Sequence, residues 1–275
     1  MKITRKKIKV GIVGCGAIGS GIAKSVTNEL KGLCQLTALY DIDVKKSEAL
    51  ARTCKVPNSV KKSLEQLLKN CDLMVEAVNA PHTENIIRKA VQAKKDVLAM
   101  SVGKLLNAKN IFTLATRNRC MMLIPSGAIA GIDAIKAASL GTINQVTITS
   151  RKPPSGFSTA PYIKKKGIDI SAIDKETVLF EGSVQEAVKQ FPQNINVAAT
   201  LALASQAQDK VKVRIIAAPA NQTNSHEIEV VGDFGRITSR TDNVVCPDNP
   251  KTSYLAVLSA IQTLKEYCLG TRVGT

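Results

Sequence analysis

One segment, VGIVGCGAIGSGIAKSV, running from Val10 to Val26, narrows the fold more than any other. A short apolar run, Ile8 to Val13, breaks into Gly14-x-Gly16-x-x-Gly19. Apolar residues then recur at Ile18, Ile22, Val26 and Leu30, in steps of four, which is helical spacing. A glycine loop between a strand and a helix has a known physical use. The first glycine allows a tight turn, the second lets backbone approach a pyrophosphate, and the third lets helix and strand pack closely. The helix start then offers unpaired N–H groups of Gly16, Ala17, Ile18 and Gly19 and the positive end of its dipole to the phosphates.

The rest of the first half repeats this alternation. Strands are expected over Leu36 to Tyr40, Leu73 to Val78, Asp96 to Ser101 and Met121 to Ile124. Helices are expected over Lys45 to Thr53, Ser63 to Lys69, Glu84 to Ala93 and Ile111 to Asn118. Strand–helix–strand units with short links imply a parallel sheet covered on both faces. The expected fold is α/β, with an N-terminal Rossmann-type, doubly wound domain over 1–125. Ligands of such sheets sit beyond the carboxyl ends of the strands, so Ala77 and Val78, with Asn79 and Ala80, should run past a dinucleotide. Ser101 to Lys104 should face the same cleft. His82 could approach a nicotinamide there or simply sit exposed after Pro81, and the second is preferred. Asp41, closing LTALYD about 20 residues after the last glycine of the loop, can accept hydrogen bonds from the adenosine ribose. Its carboxylate favours NAD; Lys45 and Lys46 nearby leave room for NADP as well.

The texture changes near Pro125. SGAIAGIDAIKAASLG reads as a glycine-punctuated helix, VTITSRKPPSG as a strand ending in a Pro–Pro loop, and Asn194 to Ala207 as an Ala-rich helix. Val211 to Ala217, Glu227 to Val231 and Gly235 to Ser239 alternate as strands of an antiparallel sheet do. These give a second α/β domain over 126–252, with a mixed or antiparallel sheet, as the substrate and catalytic domain. The amphipathic C-terminal helix within 253–275 is expected to pack back on the first domain.

Composition sets the outer limits. With 44% hydrophobic and 22% charged residues, 275 residues can build real cores. No apolar run reaches the ~18 residues that span a bilayer. The basic start MKITRKKIKVGIVG is read as a first strand, not a signal peptide, because its apolar part turns into glycines after a few residues. Seven scattered cysteines with no C-x-x-C pair point to free thiols in a reducing cytoplasm, not to a metal or disulfides. The net charge of +16 would suit phosphate contacts, but aromatics are 3% and no nucleic-acid module is present. Attraction of anionic small molecules fits the charge equally well.

The segments SVGKL, IPSGAIAGIDAI, TSRKPP, FPQNINVAATLALA, NSHEIEV and DNPKTSYLAVLSAI follow GCGAIG in that order. Together they resemble the L-aspartate dehydrogenase family over nearly the whole chain. The resemblance implies oxidation of L-aspartate to iminoaspartate with NAD or NADP. It also implies a cytoplasmic homodimer, with dimerisation added to the role of 126–252, that supplies quinolinate formation in NAD biosynthesis. Position by position, His226 in NSHEI matches the family's active-site histidine, and Asn196 in NINVAAT a cofactor-contacting asparagine. An alanine of SGAIAG matches a further cofactor contact, either Ala128 or Ala130, with Ala130 preferred. The NAPH segment also resembles related sugar dehydrogenases of the glucose–fructose oxidoreductase type.

The chemistry asks for the same kinds of residue. Removing hydride from an amino acid needs an uncharged amine, a nicotinamide within reach and holders for two carboxylates. His226, one of two histidines, exchanges protons near neutral pH, as a general base or as a donor to the substrate. Asn194 and Asn196 at a helix start suit cofactor or substrate contacts, or capping, and Thr200 lies one turn on. Lys104 and the Lys152 loop are candidate carboxylate holders. The alternatives are another nicotinamide oxidoreductase, acting on a sugar, semialdehyde or dihydrodipicolinate, and a non-catalytic dinucleotide sensor.

Overall fold

The structure is a computed structural model and describes residues 6–78, 82–192, 195–246 and 249–275. The chain divides into two compact units. The first holds Met1–Pro125 and Val257–Arg272; the second holds Ser126–Ala256 and Val273–Thr275.

In the first unit the elements alternate: β1 (Ile8–Val13), α1 (Ala17–Thr27), β2 (Cys34–Tyr40), α2 (Val44–Thr53), α3 (Leu64–Lys69) and β3 (Leu73–Glu76). They continue as α4 (Thr83–Gln92), β4 (Asp96–Ala99), α5 (Val102–Leu105), α6 (Lys109–Arg117) and β5 (Met122–Leu123). The strands form a parallel sheet in the order β2-β1-β3-β4-β5. This is the doubly wound arrangement expected from the sequence. Helix starts carry local signals: Asp43 and Ser63 accept the N–H of Lys45 and Gln66 and so cap α2 and α3.

The period of two along each strand sorts residues to two cores. Val10, Ile12, Leu73, Val75 and Leu98 pack with Ile22, Ala23 and Val26 of α1. Val13, Met74, Val97 and Ala99 point the other way, onto Leu67, Ile87, Val91 and Ile111. Both faces being covered, these strands are largely apolar. Glu76, at the end of β3, is an acid fully buried among them.

The second unit contains α7 (Ile132–Ala138), β6 (Ile143–Lys152), α8 (Pro161–Lys166), β7 (Thr177–Ser183), α9 (Val184–Gln190) and α10 (Asn196–Ser205). It goes on through β8 (Val211–Ala217), β9 (Asn224–Gly232), β10 (Gly235–Asn243), β11 (Val245–Cys246) and β12 (Asn249–Ser253). Its sheet runs β10-β9-β6-β8-β7. Only β6 and β8 are parallel, so the sheet is mixed. On one face Val146 and Ile148 of β6 meet Val230 and Ile228 of β9, and α10 lies against β6 and β8. The other face carries ion pairs such as Arg214–Glu181 and Arg236–Glu229. Phe157, Tyr162, Phe180 and Phe191 form an aromatic cluster with ring centroids 5.3 to 6.2 Å apart.

The sequence reading of a helix from residue 126 needs correction. Helix α7 starts only at Ile132, because Gly127 and Gly131 take left-handed φ of 70° and 82°, which no right-handed helix admits. Residues 126–131 form a loop instead.

Helix α11 (Tyr254–Leu269) closes the chain, and from Val257 onward it belongs to the first unit. Ala260, Leu264 and Cys268 join the core beside Ile22 and Val26, and the Tyr267 hydroxyl donates to Asp96 at 2.5 Å. Leu264→Ala is expected to destabilise the first unit by about 2–5 kcal/mol. Leu258→Ala, at a side chain 41% exposed, should change stability by less than about 0.5 kcal/mol. Urea unfolding of both variants checks this.

Candidate active site

In the first unit the glycine loop is held at two points. Gly14 has φ 93°, and a Cβ there would lie 2.5 Å from the carbonyl oxygen of Ala77. A Cβ on Gly19 would run into the carbonyl oxygen of Gly14. Beyond Gly16 the space is open for 4 Å. Gly16 caps α1 without any side-chain hydrogen bond, and the first bond of the helix is Ser20 N–H to Gly16 C=O. The N–H groups of Ala17, Ile18 and Gly19 therefore stay available at the helix start. With open space beside Gly16, this helix start fits the pyrophosphate of a dinucleotide.

Asp41 stands at the tip of β2. One carboxylate oxygen accepts Cys15 N–H at 2.7 Å and the other Asp43 N–H at 2.9 Å. Each oxygen keeps a further lone pair for a ribose hydroxyl. The Cys15 thiol, pushed up to about 12 by burial and by Asp41, stays protonated and is no nucleophile.

Ala77 and Val78 lie just past β3, half-buried, with Ala77 N–H donated to Val13 C=O at 2.9 Å. Glu76 fastens this corner. Its carboxyl group is met by Val78 N–H at 3.1 Å, Ser101 N–H at 3.1 Å, the Ser101 hydroxyl at 2.9 Å and the Thr83 hydroxyl at 3.4 Å. The Ser101 hydroxyl also reaches Val78 C=O. Burial raises the Glu76 carboxyl above the usual carboxylate range, against the hydrogen bonds from Ser101 and Val78 that pull it down. Lys104 is half-buried on α5 in this unit. His82 is exposed at the start of α4, and Asn79 and Ala80 lie outside the described residues.

In the second unit one row of residue pairs turns from core to chemistry. Along the β6–β9 pair, Val146 meets Val230, Ile148 meets Ile228, and Ser150 meets His226. His226 is 3% exposed, and its Nδ1 is 2.9 Å from the Ser150 hydroxyl oxygen. That contact orients the ring and leaves Nε2 as the free atom. Burial, and then the charge of Lys152, lower the imidazole from 6.5 to about 3. At neutral pH His226 is therefore neutral, with hydrogen-bonding capacity left at Nε2.

The loop 126–131 is pinned beside His226. Thr241, opposite His226 on β10, donates its hydroxyl to Ala128 C=O at 2.8 Å, and Asn243 donates its amide to the same oxygen at 3.0 Å. The Ser239 hydroxyl donates to Ala130 C=O at 2.9 Å. Ala128 is buried and Ala130 exposed. A Cβ on Gly127 would touch Val197 of α10 at 3.7 Å, so the loop also borders the start of α10. Asn196 is the first residue of α10 and exposed; Thr200 is buried one turn on. Asn194 lies outside the described residues. His226, the SGAIAG loop and Asn196 thus come from segments far apart in sequence into one region of this unit.

Three contributors were not read from the sequence. Glu76 had a signal, a single acid inside the apolar run LMVEAV. Ser150 and Asn243 had none, because their roles depend on strand register over long separations.

A parallel sheet with a glycine loop facing open space, an acid on the second strand and a second sheet bearing a fixed histidine define a nicotinamide-dinucleotide oxidoreductase. Residues 8–124 match the family described as "Oxidoreductase family, NAD-binding Rossmann fold". Residues 133–267 match that described as "Aspartate dehydrogenase, C-terminal". The chain is 44% identical to an L-aspartate dehydrogenase of Methanosarcina barkeri, over 98% of this chain and 100% of that one. It is 42% identical to one from Methanococcus maripaludis, with the same coverage. The chain belongs to the aspartate dehydrogenase family. The fold is shared with the crystal structure of aspartate dehydrogenase from Thermotoga maritima, at TM-score 0.71 and 24% identity over 98% of this chain and 100% of that one. It is also shared with myo-inositol dehydrogenase from Lactobacillus casei in complex with NAD(H) and myo-inositol, at TM-score 0.59 and 15% identity, covering 98% and 89%.

The imidazole state has a direct readout. Its folded pKa lies below the unfolded value, so the unfolded chain binds the proton first as pH falls. Stability should therefore decline from about pH 6.5 toward about pH 3, and His226→Gln should flatten that slope. The ring-proton NMR signals of His226, assigned by their loss in the same variant, should stay constant between roughly pH 8 and pH 5.

Proposed function

We propose that this protein oxidises L-aspartate to iminoaspartate with NAD. The observation that carries the reading is family likeness over 98% of the chain at 44% identity to an L-aspartate dehydrogenase. The glycine loop and the SGAIAG and NSHEI segments are intact within it.

When bound, the nicotinamide would accept the hydride from the α-carbon of the substrate. The residues of this chain do the rest. Gly14, Gly16, Ala17, Ile18 and Gly19 seat the pyrophosphate on the start of α1. Asp41 takes the adenosine ribose, and its negative charge opposes a 2′-phosphate, which favours NAD over NADP. Ala77 and Val78 border the dinucleotide, with Glu76 and Ser101 fixing the backbone behind them. Residues 1–125 with the closing helix serve as the dinucleotide domain, and 126–252 as the substrate and dimerisation domain.

In the second domain Ala130 and Asn196 line the nicotinamide side of the site. Asn194, Thr200 and Lys104 are candidate substrate contacts. His226 faces the amino acid with Nε2. The substrate's carboxylates raise its proton affinity, so that it takes the amine's proton or holds the nascent imine. A cytoplasmic homodimer feeding quinolinate formation in NAD biosynthesis completes the reading. Free cysteines and the absence, among the described residues, of any helix long and apolar enough to cross a membrane are consistent with it. Light scattering at the mass of two chains checks the dimer.

NADH formation, followed by absorbance, should be fastest with L-aspartate among amino acids and sugars. His226→Ala should lower kcat by about 10²-fold or more while NAD affinity stays near wild type. Near-normal turnover in that variant would remove His226 from the chemistry. Asp41→Ala should weaken NAD by about 10- to 100-fold and narrow the gap to NADP. Unchanged affinities for both cofactors would contradict the ribose assignment.

A further inference from the structure

Two consecutive cations end β6, and they stand in opposite electrostatic situations. Arg151 is paired twice: Glu176 lies 3.3 Å from its Nε and Glu227 3.1 Å from a terminal guanidinium nitrogen. Lys152 has the reverse orientation, since strand side chains alternate and it is two residues from Ser150. It therefore continues the row Val146, Ile148, Ser150, on the face that holds His226. The lysine is half-buried, and its stem runs past Gly156, where a Cβ would lie 3.7 Å from both its Cβ and Cδ.

Among the described residues the Lys152 ammonium has no hydrogen-bond or ion-pair partner. On β8 its register neighbour is Ala217, and Ala218 donates only to the Lys152 carbonyl, at 2.8 Å. The titratable group that acts across from β9 is His226, which is neutral. A cation partly withdrawn from water without a counter-charge is costly, and burial draws its pKa from 10.5 to about 8. The fold satisfies Arg151 with two carboxylates and gives Lys152 none. A site of that kind is complementary to a carboxylate arriving from solution.

We propose that Lys152 is the residue that holds a carboxylate of the substrate, its ammonium pairing with one carboxylate of L-aspartate beside the imidazole fixed by Ser150. The inference rests on the reading of the chain as an aspartate-oxidising enzyme, and it adds a cation that anchors that substrate.

Succinate, a dicarboxylate with no amine to oxidise, separates binding from chemistry. It is titrated by calorimetry into the full chain saturated with NADH, alongside steady-state kinetics with L-aspartate. Lys152→Met should weaken succinate and raise KM for L-aspartate by about 10- to 100-fold, with KM for NAD near wild type. Lys152→Gln is the second variant should Lys152→Met lose its fold, and should show the same loss. Lys152→Arg keeps the charge and should recover part of both. The proposal is overturned if the uncharged variants bind succinate as wild type does. It is also overturned if all variants keep KM but lose kcat, the pattern of a proton acceptor that arginine cannot replace. A wild-type protein that binds succinate through Lys152 yet makes no NADH from L-aspartate would sink the proposed activity and leave the carboxylate site standing.

Discussion

A single carbonyl oxygen, that of Gly14, occupies the place where a side chain of residue 19 would begin. This close approach fixes where α1 sits on β1, and much of the first unit follows from it. The turn behind the oxygen is as tight, since Gly14 also abuts the carbonyl of Ala77. Three chain segments thus converge at one point with no room for a β-carbon. Because the loop is backbone against backbone, it presents N–H groups, not side chains, to whatever lies in front of α1. Asp41 then locks the loop from the side by accepting the N–H of Cys15.

The two units handle buried polar groups in contrasting ways. Glu76 is enclosed and fully engaged, with donors from the β3 tip, from Ser101 and from Thr83. A network satisfied in this way rigidifies the corner it occupies. His226 is enclosed as well, yet among the described residues only one of its ring nitrogens is engaged. The first arrangement is that of a satisfied scaffold; the second leaves a ring nitrogen with hydrogen-bonding capacity to spare. Burial shifts both groups toward their neutral forms, raising the Glu76 carboxyl and lowering the His226 imidazole.

Much of this was legible in the sequence, for physical reasons that differ by element. The strands Ile8–Val13 and Val211–Ala217 have the bounds that their apolar runs announce. The glycine loop is a local code, so its turn and helix start could be read directly. Within Thr177–Gln190 the local signal is S-V-Q-E, the capping box of Ser183 and Glu186 at the start of α9. Residues 126–131 misled because alanine and isoleucine favour a helix while two left-handed glycines forbid it. The partner of His226 could not be found at all: Ser150 is 76 residues away, and only the β6–β9 register brings them together.

The return of α11 to the first unit has a consequence for synthesis. A ribosome releases the chain N-terminus first. The sheet of the first unit and most of its helices emerge early, but Ala260, Leu264 and Cys268 follow the entire second unit. Until they arrive, the side of the sheet on which Ile22 and Val26 of α1 pack lacks part of its cover. The nascent chain must therefore keep an apolar surface open while some 130 residues of a different fold are made, a window in which a chaperone has something to hold.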